Sequence, residues 1–177
     1  MVGISKEFAN DKGVALTDNR NWIFRKEIVK ALPLAEAPSE KKEFPKAMYI
    51  RDFTMDAITL FRFSACTFNG HKIHYSREWC REVEGHRGLV VHGPLNLTLM
   101  VELWRDVVGS GKGKEGDYGK RSEEIVVPES VVYRATHPLY VDEAYRICLD
   151  VEGRVSEVKI VDSYGNVCMK GTITAFE

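Results

Sequence analysis

The longest apolar segment of the chain predicts a buried helix. Residues 94–108, PLNLTLMVELWRDVV, carry apolar side chains around most of a helical circumference, whereas a surface helix carries one apolar stripe. Gly93 stands in an N-cap-like position, and Pro94 follows at the first helical position, where a missing N–H costs nothing. We therefore expect other elements to enclose this helix.

Alternating apolar and polar residues predict strands in the last third of the chain. The four predicted strands are Val131–Tyr140, Tyr145–Val151, Val155–Asp162 and Val167–Phe176. A single enclosed helix with five or six largely antiparallel strands predicts the α+β class, with the sheet curled around the helix. Cys148 and Cys168 fall within these strands, which predicts buried structural thiols.

The first two thirds of the chain carry weaker patterns. Trp22–Val29 and Ile58–Ser64 each mix β-branched, aromatic and polar residues as half-buried strands do. A proline-rich and charged segment follows the first of them, so residues 1–57 are predicted to hold one strand and a long surface connection. Ser76 is expected to cap a short helix. The glycine-rich segment Gly109–Glu124 predicts a flexible loop.

Length, charge and cysteine content narrow the class of protein. The 177 residues fit a single domain spanning 1–177, and 25 basic against 26 acidic side chains offer no field that would attract nucleic acid or anionic lipid. The beginning of the sequence lacks the apolar core of a secretory signal, and no apolar run is long enough for a membrane helix. Four cysteines without a CxxC pair indicate free thiols. We expect an intracellular, cytoplasmic protein that binds neither nucleic acid nor membrane.

Candidate chemistry lies in residues 66–75, CTFNGHKIHY. The HxxH pair formed by His71 and His74 has no Cys, Asp or Glu nearby at a useful spacing, which argues against a metal site. No GxSxG elbow or cysteine-protease signature is present, so general acid–base catalysis by a histidine is the remaining reaction type. The N-terminus of the predicted helix could stabilise an oxyanion, with the N–H of Gly93 as donor.

The run RFSACTFNGHKIHY, followed by GLVVHGPLNLTLM, resembles the MaoC-like hot-dog dehydratases and hydratases. The resemblance is to the branch that contains fungal mitochondrial 3-hydroxyacyl-thioester dehydratases and mesaconyl-CoA hydratases, and it extends over most of residues 15–177. It implies a hot-dog fold, an antiparallel sheet wrapped around one long helix. Members of this branch often carry two hot-dog units in one chain, so the resemblance also implies that this chain forms a homodimer. A mitochondrial location is the alternative that it suggests.

The resemblance further implies a reaction and a set of site residues. The wider family carries D-x-N-P-x-H; with His74 on its histidine, Asn69 stands where the aspartate would be. His74 would then transfer the protons alone while Asn69 orients the water, in a reversible syn loss of water from an (R)-3-hydroxyacyl thioester. Coenzyme A or an acyl carrier is expected as part of the substrate, with no cofactor and no metal. The predicted substrate-binding residues are Phe68, His71, Lys72, Arg77, Arg81, His92 and Leu95.

Within that set, Phe68 and Leu95 are expected to line a tunnel for the acyl chain, and the three basic residues to contact the phosphates of coenzyme A or a carrier. Two other functions stay open. A hot-dog thioesterase would need a carboxylate to activate water, and none stands close to His74 in the sequence. A lyase or binding protein for a free secondary metabolite is conceivable because the aspartate is missing.

Overall fold

The computed structural model describes residues 1–24, 26–109 and 127–176, in two compact units, Met1–Lys30 and Ala31–Glu177. The first unit is an antiparallel hairpin of β1 (Val2–Asn10) and β2 (Gly13–Trp22). This hairpin was not predicted from the sequence. The strand predicted at Trp22–Val29 is wrong. β2 ends at Trp22, and the described residues between positions 23 and 29 form no helix or strand.

The second unit is built on a five-stranded antiparallel sheet with the order β3-β5-β6-β7-β4. Its strands are β3 (Tyr49–Thr54), β4 (Ser130–Ala135), β5 (Ala144–Glu152), β6 (Val155–Asp162) and β7 (Val167–Thr174). The last three strands match the prediction to within two residues at each end. β3 was not predicted. The predicted loop lies outside the described residues from position 110 onward.

The predicted central helix is present as α3 (Gly93–Trp104), and a single π-helical turn extends it over Arg105–Gly109. It packs against β5, β6 and β7 and buries Met100, Leu103 and Trp104 completely. The helix begins one residue earlier than predicted, with His92 as N-cap and Gly93 as its first residue. A sheet packed around one apolar helix is the expected hot-dog arrangement.

The strand predicted at Ile58–Ser64 is wrong, because this segment lies within a helix, α1 (Ala57–Thr67). The side chain of Asp56 accepts a hydrogen bond from the Thr59 N–H at 2.6 Å and caps the helix. α1 buries only Leu60 and Ser64, which are four residues apart and so share one helical face. The β-branched and aromatic residues of the segment favoured the wrong element.

Two short elements follow α1 and carry the candidate chemistry. A 3₁₀ turn covers Lys72–His74, and α2 (Arg77–Glu82) begins where Ser76 accepts a hydrogen bond from the Trp79 N–H, as predicted. Beyond α2, residues 89–91 pair with residues 139–141 through the bridge between Val90 and Tyr140. Of the predicted strand Val131–Tyr140, only the part up to Ala135 is present, as β4, and Tyr140 bridges to Val90. No helix among the described residues has the length and apolarity needed to cross a membrane.

Candidate active site

His74 is a buried imidazole with a fixed tautomer. Its exposed fraction is 7%, and its Nδ1 lies 2.7 Å from the carbonyl oxygen of Val90. Because a carbonyl oxygen can only accept, Nδ1 must donate, and the neutral ring therefore carries no proton on Nε2. His74 is thus prepared to accept a proton at Nε2.

Backbone contacts hold Val90 where this bond requires it. The Val90 N–H donates to the Ile73 carbonyl at 2.9 Å, and the Cys80 thiol donates to the same oxygen at 3.1 Å. On its other side, Val90 bridges to Tyr140. Ile73, the residue before His74, is therefore hydrogen-bonded to Val90, and the carbonyl of Val90 orients the His74 ring.

His92 lies against His74 at the start of α3. The two rings stack with centroids 3.6 Å apart and planes 18° apart. His92 is completely buried, its Nε2 forms a 2.9 Å hydrogen bond with the Ser64 hydroxyl, and its Nδ1 has no partner among the described residues. His92 was predicted to bind substrate, and the structure places it beneath His74 as a packed neighbour.

Burial keeps both stacked rings neutral. Desolvation lowers the pKa of His74, and the charge of nearby His71 lowers it further, while the Val90 carbonyl and Glu84 act in the opposite direction. Desolvation, followed by the charge of His74, lowers the pKa of His92 to about 4. At neutral pH, His74 is therefore in the form that can act as a base.

The N-terminus of α3 lies directly beyond His92. The first N–H groups of a helix have no partner within the helix, and the helix dipole places positive charge there. A Cβ added to Gly93 would meet no atom within 4 Å, so open space lies beside this residue. Pro94 has no N–H, which leaves the N–H of Gly93 as the first donor for an oxygen beside His74.

His71 lies at the exposed side of the site. Its ring centroid is 5.7 Å from that of His74, with the planes at 83°, and its side chain is 55% exposed. Nε2 of His71 donates to a carboxylate oxygen of Glu84 at 3.3 Å, and the Trp79 indole N–H donates to the same oxygen at 2.8 Å. The Asn69 side-chain oxygen accepts the backbone N–H of His71 at 3.0 Å.

The other predicted binding residues are not gathered around His74. Phe68 caps the end of α1 with its side chain 97% exposed, so it does not lie between helix and sheet. Leu95 is buried in the first turn of α3. The Lys72 ammonium lies 4.3 Å from the centroid of the Trp79 ring, and Arg77 pairs with Asp142 at 3.2 Å. Arg81 is exposed on α2.

Three contributors to the site were missed from the sequence. Glu84 supplies a carboxylate beside His71, Ser64 contacts His92, and the backbone of Val90 fixes His74. Only Glu84 left a signal, since it stands ten residues after His74 at the end of a predicted short helix. In the described part of the chain, no three His, Cys, Asp or Glu side chains are arranged to hold a metal ion.

Comparison with curated proteins identifies two relatives of different length. Over 55 residues, 31% of this chain, it is 54% identical to the mesaconyl-C(4)-CoA hydratase of Chloroflexus aurantiacus, and the match covers 20% of that protein. Over 114 residues, 64% of this chain, it is 30% identical to the mitochondrial hydroxyacyl-thioester dehydratase type 2 of Schizosaccharomyces pombe, covering 33% of that protein. The chain thus matches a third or less of the length of these relatives.

Comparison with solved structures supports the fold. The full-length peroxisomal multifunctional enzyme type 2 of Drosophila melanogaster matches 97% of this chain with a TM-score of 0.66 at 14% identity, over 30% of its own length. The description of the matching family model is hydroxyacyl-thioester dehydratase type 2, and the match spans residues 1–141. These residues include both histidine motifs and the start of α3, and the chain is a member of the hydroxyacyl-thioester dehydratase type 2 family.

Proposed function

We propose that this chain catalyses the reversible dehydration of (R)-3-hydroxyacyl thioesters to trans-2-enoyl thioesters. The observation that carries the proposal is the stacking of His74 on His92, the N-cap residue of α3. This contact brings a neutral imidazole with a free Nε2 next to the N-terminus of a buried helix. A base and an oxyanion donor are the two groups that removal of a thioester α-proton requires.

The two groups act on different parts of the substrate. As the α-proton leaves, negative charge develops on the thioester oxygen, and the N–H of Gly93 stabilises that charge. A donor of this kind contributes about 3–4 kcal/mol in the transition state, and a positioned base about 10²–10⁴-fold in rate. His74 accepts the proton at Nε2. The departing hydroxyl must also gain a proton before it leaves as water.

The substrate is proposed to carry coenzyme A or an acyl carrier arm. Lys72, Arg77 and Arg81 supply positive charge on the surface that follows the site loop, which suits phosphate groups. The family relationship supports a thioester of this type. The acyl chain is assigned to the space beside Gly93 and the apolar first turn of α3.

A homodimer is part of the proposal. β3 and β4 form the two edges of the sheet, and each pairs with a strand on one side only among the described residues. An unpaired strand edge offers backbone groups to a second copy. Sedimentation should give twice the chain mass of 20.1 kDa, and a species of 20.1 kDa at working concentration would contradict the dimer.

A thioesterase is the second candidate, because the structure provides a carboxylate that the sequence did not reveal. Glu84 lies 3.3 Å from His71 and could hold an imidazole that activates hydrolytic water. The two reactions differ in product. Hydrolysis releases a free thiol, whereas hydration leaves the thioester intact.

A panel of trans-2-enoyl-CoA esters of increasing length tests the proposal directly. Hydration should lower the absorbance of the conjugated enoyl thioester while the free thiol concentration stays constant. Release of thiol at the same rate would identify a thioesterase instead. Absence of both changes across the panel, in a protein that is folded by circular dichroism, would rule out both reactions for these substrates.

A further inference from the structure

The pair formed by His71 and Glu84 has no role in the mechanism given above. Nε2 of His71 donates to Glu84, so Nδ1 is the nitrogen left to give or take a proton. The carboxylate is held independently by the Trp79 indole and is only 18% exposed. An imidazole held by a carboxylate that is itself fixed is a recurring design of acid–base sites.

We propose that His71 is a second catalytic residue, which exchanges a proton with the hydroxyl of the substrate while His74 exchanges the proton at the α-carbon. This inference rests on the proposed hydratase function and divides its two proton transfers between two imidazoles. Their ring centroids lie 5.7 Å apart, so the two rings can contact neighbouring atoms of one small substrate.

Asn69 is the less suitable group for the hydroxyl. Its amide cannot donate and recover a proton as an acid does. Its side-chain oxygen already accepts the backbone N–H of His71, and it therefore shapes the loop that carries the imidazole. Asn69 is accordingly a positioning residue for His71.

The two histidines have different surroundings. The half-exposed His71 ring contacts the Glu84 carboxylate, whereas burial lowers the pKa of His74. The other titratable groups nearby are His86, whose Nε2 lies 3.9 Å from the second oxygen of Glu84, and Lys72, which lies over Trp79. An acid and a base can therefore coexist in one site.

The protons balance in each turnover. During dehydration, His74 takes the α-proton at Nε2, and the C–H electron pair enters an enolate whose oxygen the Gly93 N–H stabilises. The enolate pair then forms the C=C bond as the C–O bond breaks, and the leaving oxygen takes a proton from Nδ1 of the doubly protonated His71 ring and departs as water. His74 then carries the extra proton and His71 lacks one. Exchange with solvent, which reaches His71, restores both rings, and hydration follows the same steps in reverse.

The test compares two rates for one 3-hydroxyacyl-CoA in D₂O: dehydration by absorbance, and incorporation of deuterium at the α-carbon by mass spectrometry. His71→Ala should lower dehydration by about 10²–10⁴-fold, the usual contribution of a positioned acid. Incorporation at the α-carbon should fall far less, because His74 is intact. His74→Gln should lower both by about 10²–10⁴-fold. Glu84→Gln should resemble His71→Ala with a smaller loss.

Matched controls separate chemistry from folding. His137→Ala removes another exposed histidine, and Glu78→Gln changes another carboxylate of the α2 region; both should keep the wild-type rates. Thermal unfolding of each variant checks the fold.

Dehydration by His71→Ala at the wild-type rate would overturn the inference while leaving the hydratase function intact. An equal fall of both rates in this variant would also overturn it, since it would assign His71 to shaping the site. If the wild-type protein hydrates no enoyl thioester, that result contradicts the proposed function itself, before the role of His71 is tested.

Discussion

The histidine side chains on the buried side of the site and on its exposed side have different environments. His74 and His92 stack as buried rings, and burial lowers the pKa of both. His71 is half exposed and donates to Glu84. In the proposed mechanism, the burial of one imidazole and the carboxylate contact of another provide a base and an acid from a single residue type.

The buried side should dominate the rate. His74→Gln keeps a polar side chain near the Val90 carbonyl but removes the proton acceptor. Turnover of an enoyl-CoA substrate should fall by about 10²–10⁴-fold, as measured by steady-state kinetics. His137→Gln, at an exposed histidine that contacts the Val167 carbonyl, serves as the matched control and should keep the wild-type rate. Wild-type turnover by His74→Gln would remove the base from the proposed mechanism.

The buried side should also make the fold sensitive to acid. The pKa of His92 is about 4 in the folded chain and about 6.5 in the unfolded chain, so only the unfolded chain binds a proton between these values. The corresponding stability is complete above pH 6.5 and is lost as the pH falls toward 4, by up to about 3 kcal/mol.

Urea unfolding at pH 7 and pH 4.5 measures this loss of stability. His92→Phe keeps an aromatic ring against His74 and removes the titrating group, so its unfolding free energy should change less between the two pH values than that of the wild type. Equal changes in both proteins would assign the acid sensitivity to other groups.

On the buried side, the hydrogen bond between Ser64 and His92 can be tested alone. Ser64→Ala would leave both ring nitrogens of His92 without a protein partner, which should cost about 1–3 kcal/mol in unfolding free energy. Thr67→Ala, at an exposed residue of the same helix, should cost less. A loss in the Thr67 variant equal to that of Ser64→Ala would mean that helix propensity, and not the buried contact, sets the effect.

The smallest effect is expected on the exposed side. Arg77 and Asp142 form a solvent-exposed pair, and Arg77→Ala should change the unfolding free energy by less than about 1 kcal/mol. Kinetics provide the second measurement. A contact with carrier phosphates would raise KM and leave kcat unchanged, whereas unchanged values of both would remove Arg77 from the binding residues.

Long, strongly patterned elements of the fold were predictable from the sequence. α3 is apolar around its circumference, and β5 to β7 alternate cleanly between turns. α1 was predicted as a strand, because its aromatic and β-branched residues fit the period of a strand as well as that of a helix. A helix that buries only Leu60 and Ser64 also has a narrow apolar face. The hairpin was missed because polar side chains occupy many positions of both its strands.

The residues of the site were predictable in type but not in arrangement. His74, Asn69 and Gly93 could be selected because of their motifs. The stacking of His74 on His92 depends on the pairing of residues 89–91 with residues 139–141, and local sequence does not specify such a distant contact. Glu84 was missed for a similar reason, since its contact with His71 forms across the 3₁₀ turn and α2 that lie between them.

Val90 fixes the His74 tautomer through its backbone, so the site should tolerate other side chains at this position. The groups involved are the amide and the carbonyl of residue 90, which every amino acid except proline provides. Homologues could therefore exchange the side chain at this position for another of similar bulk and still inherit the same orientation of the imidazole. Proline is the residue that should never occur there in an active member of the family.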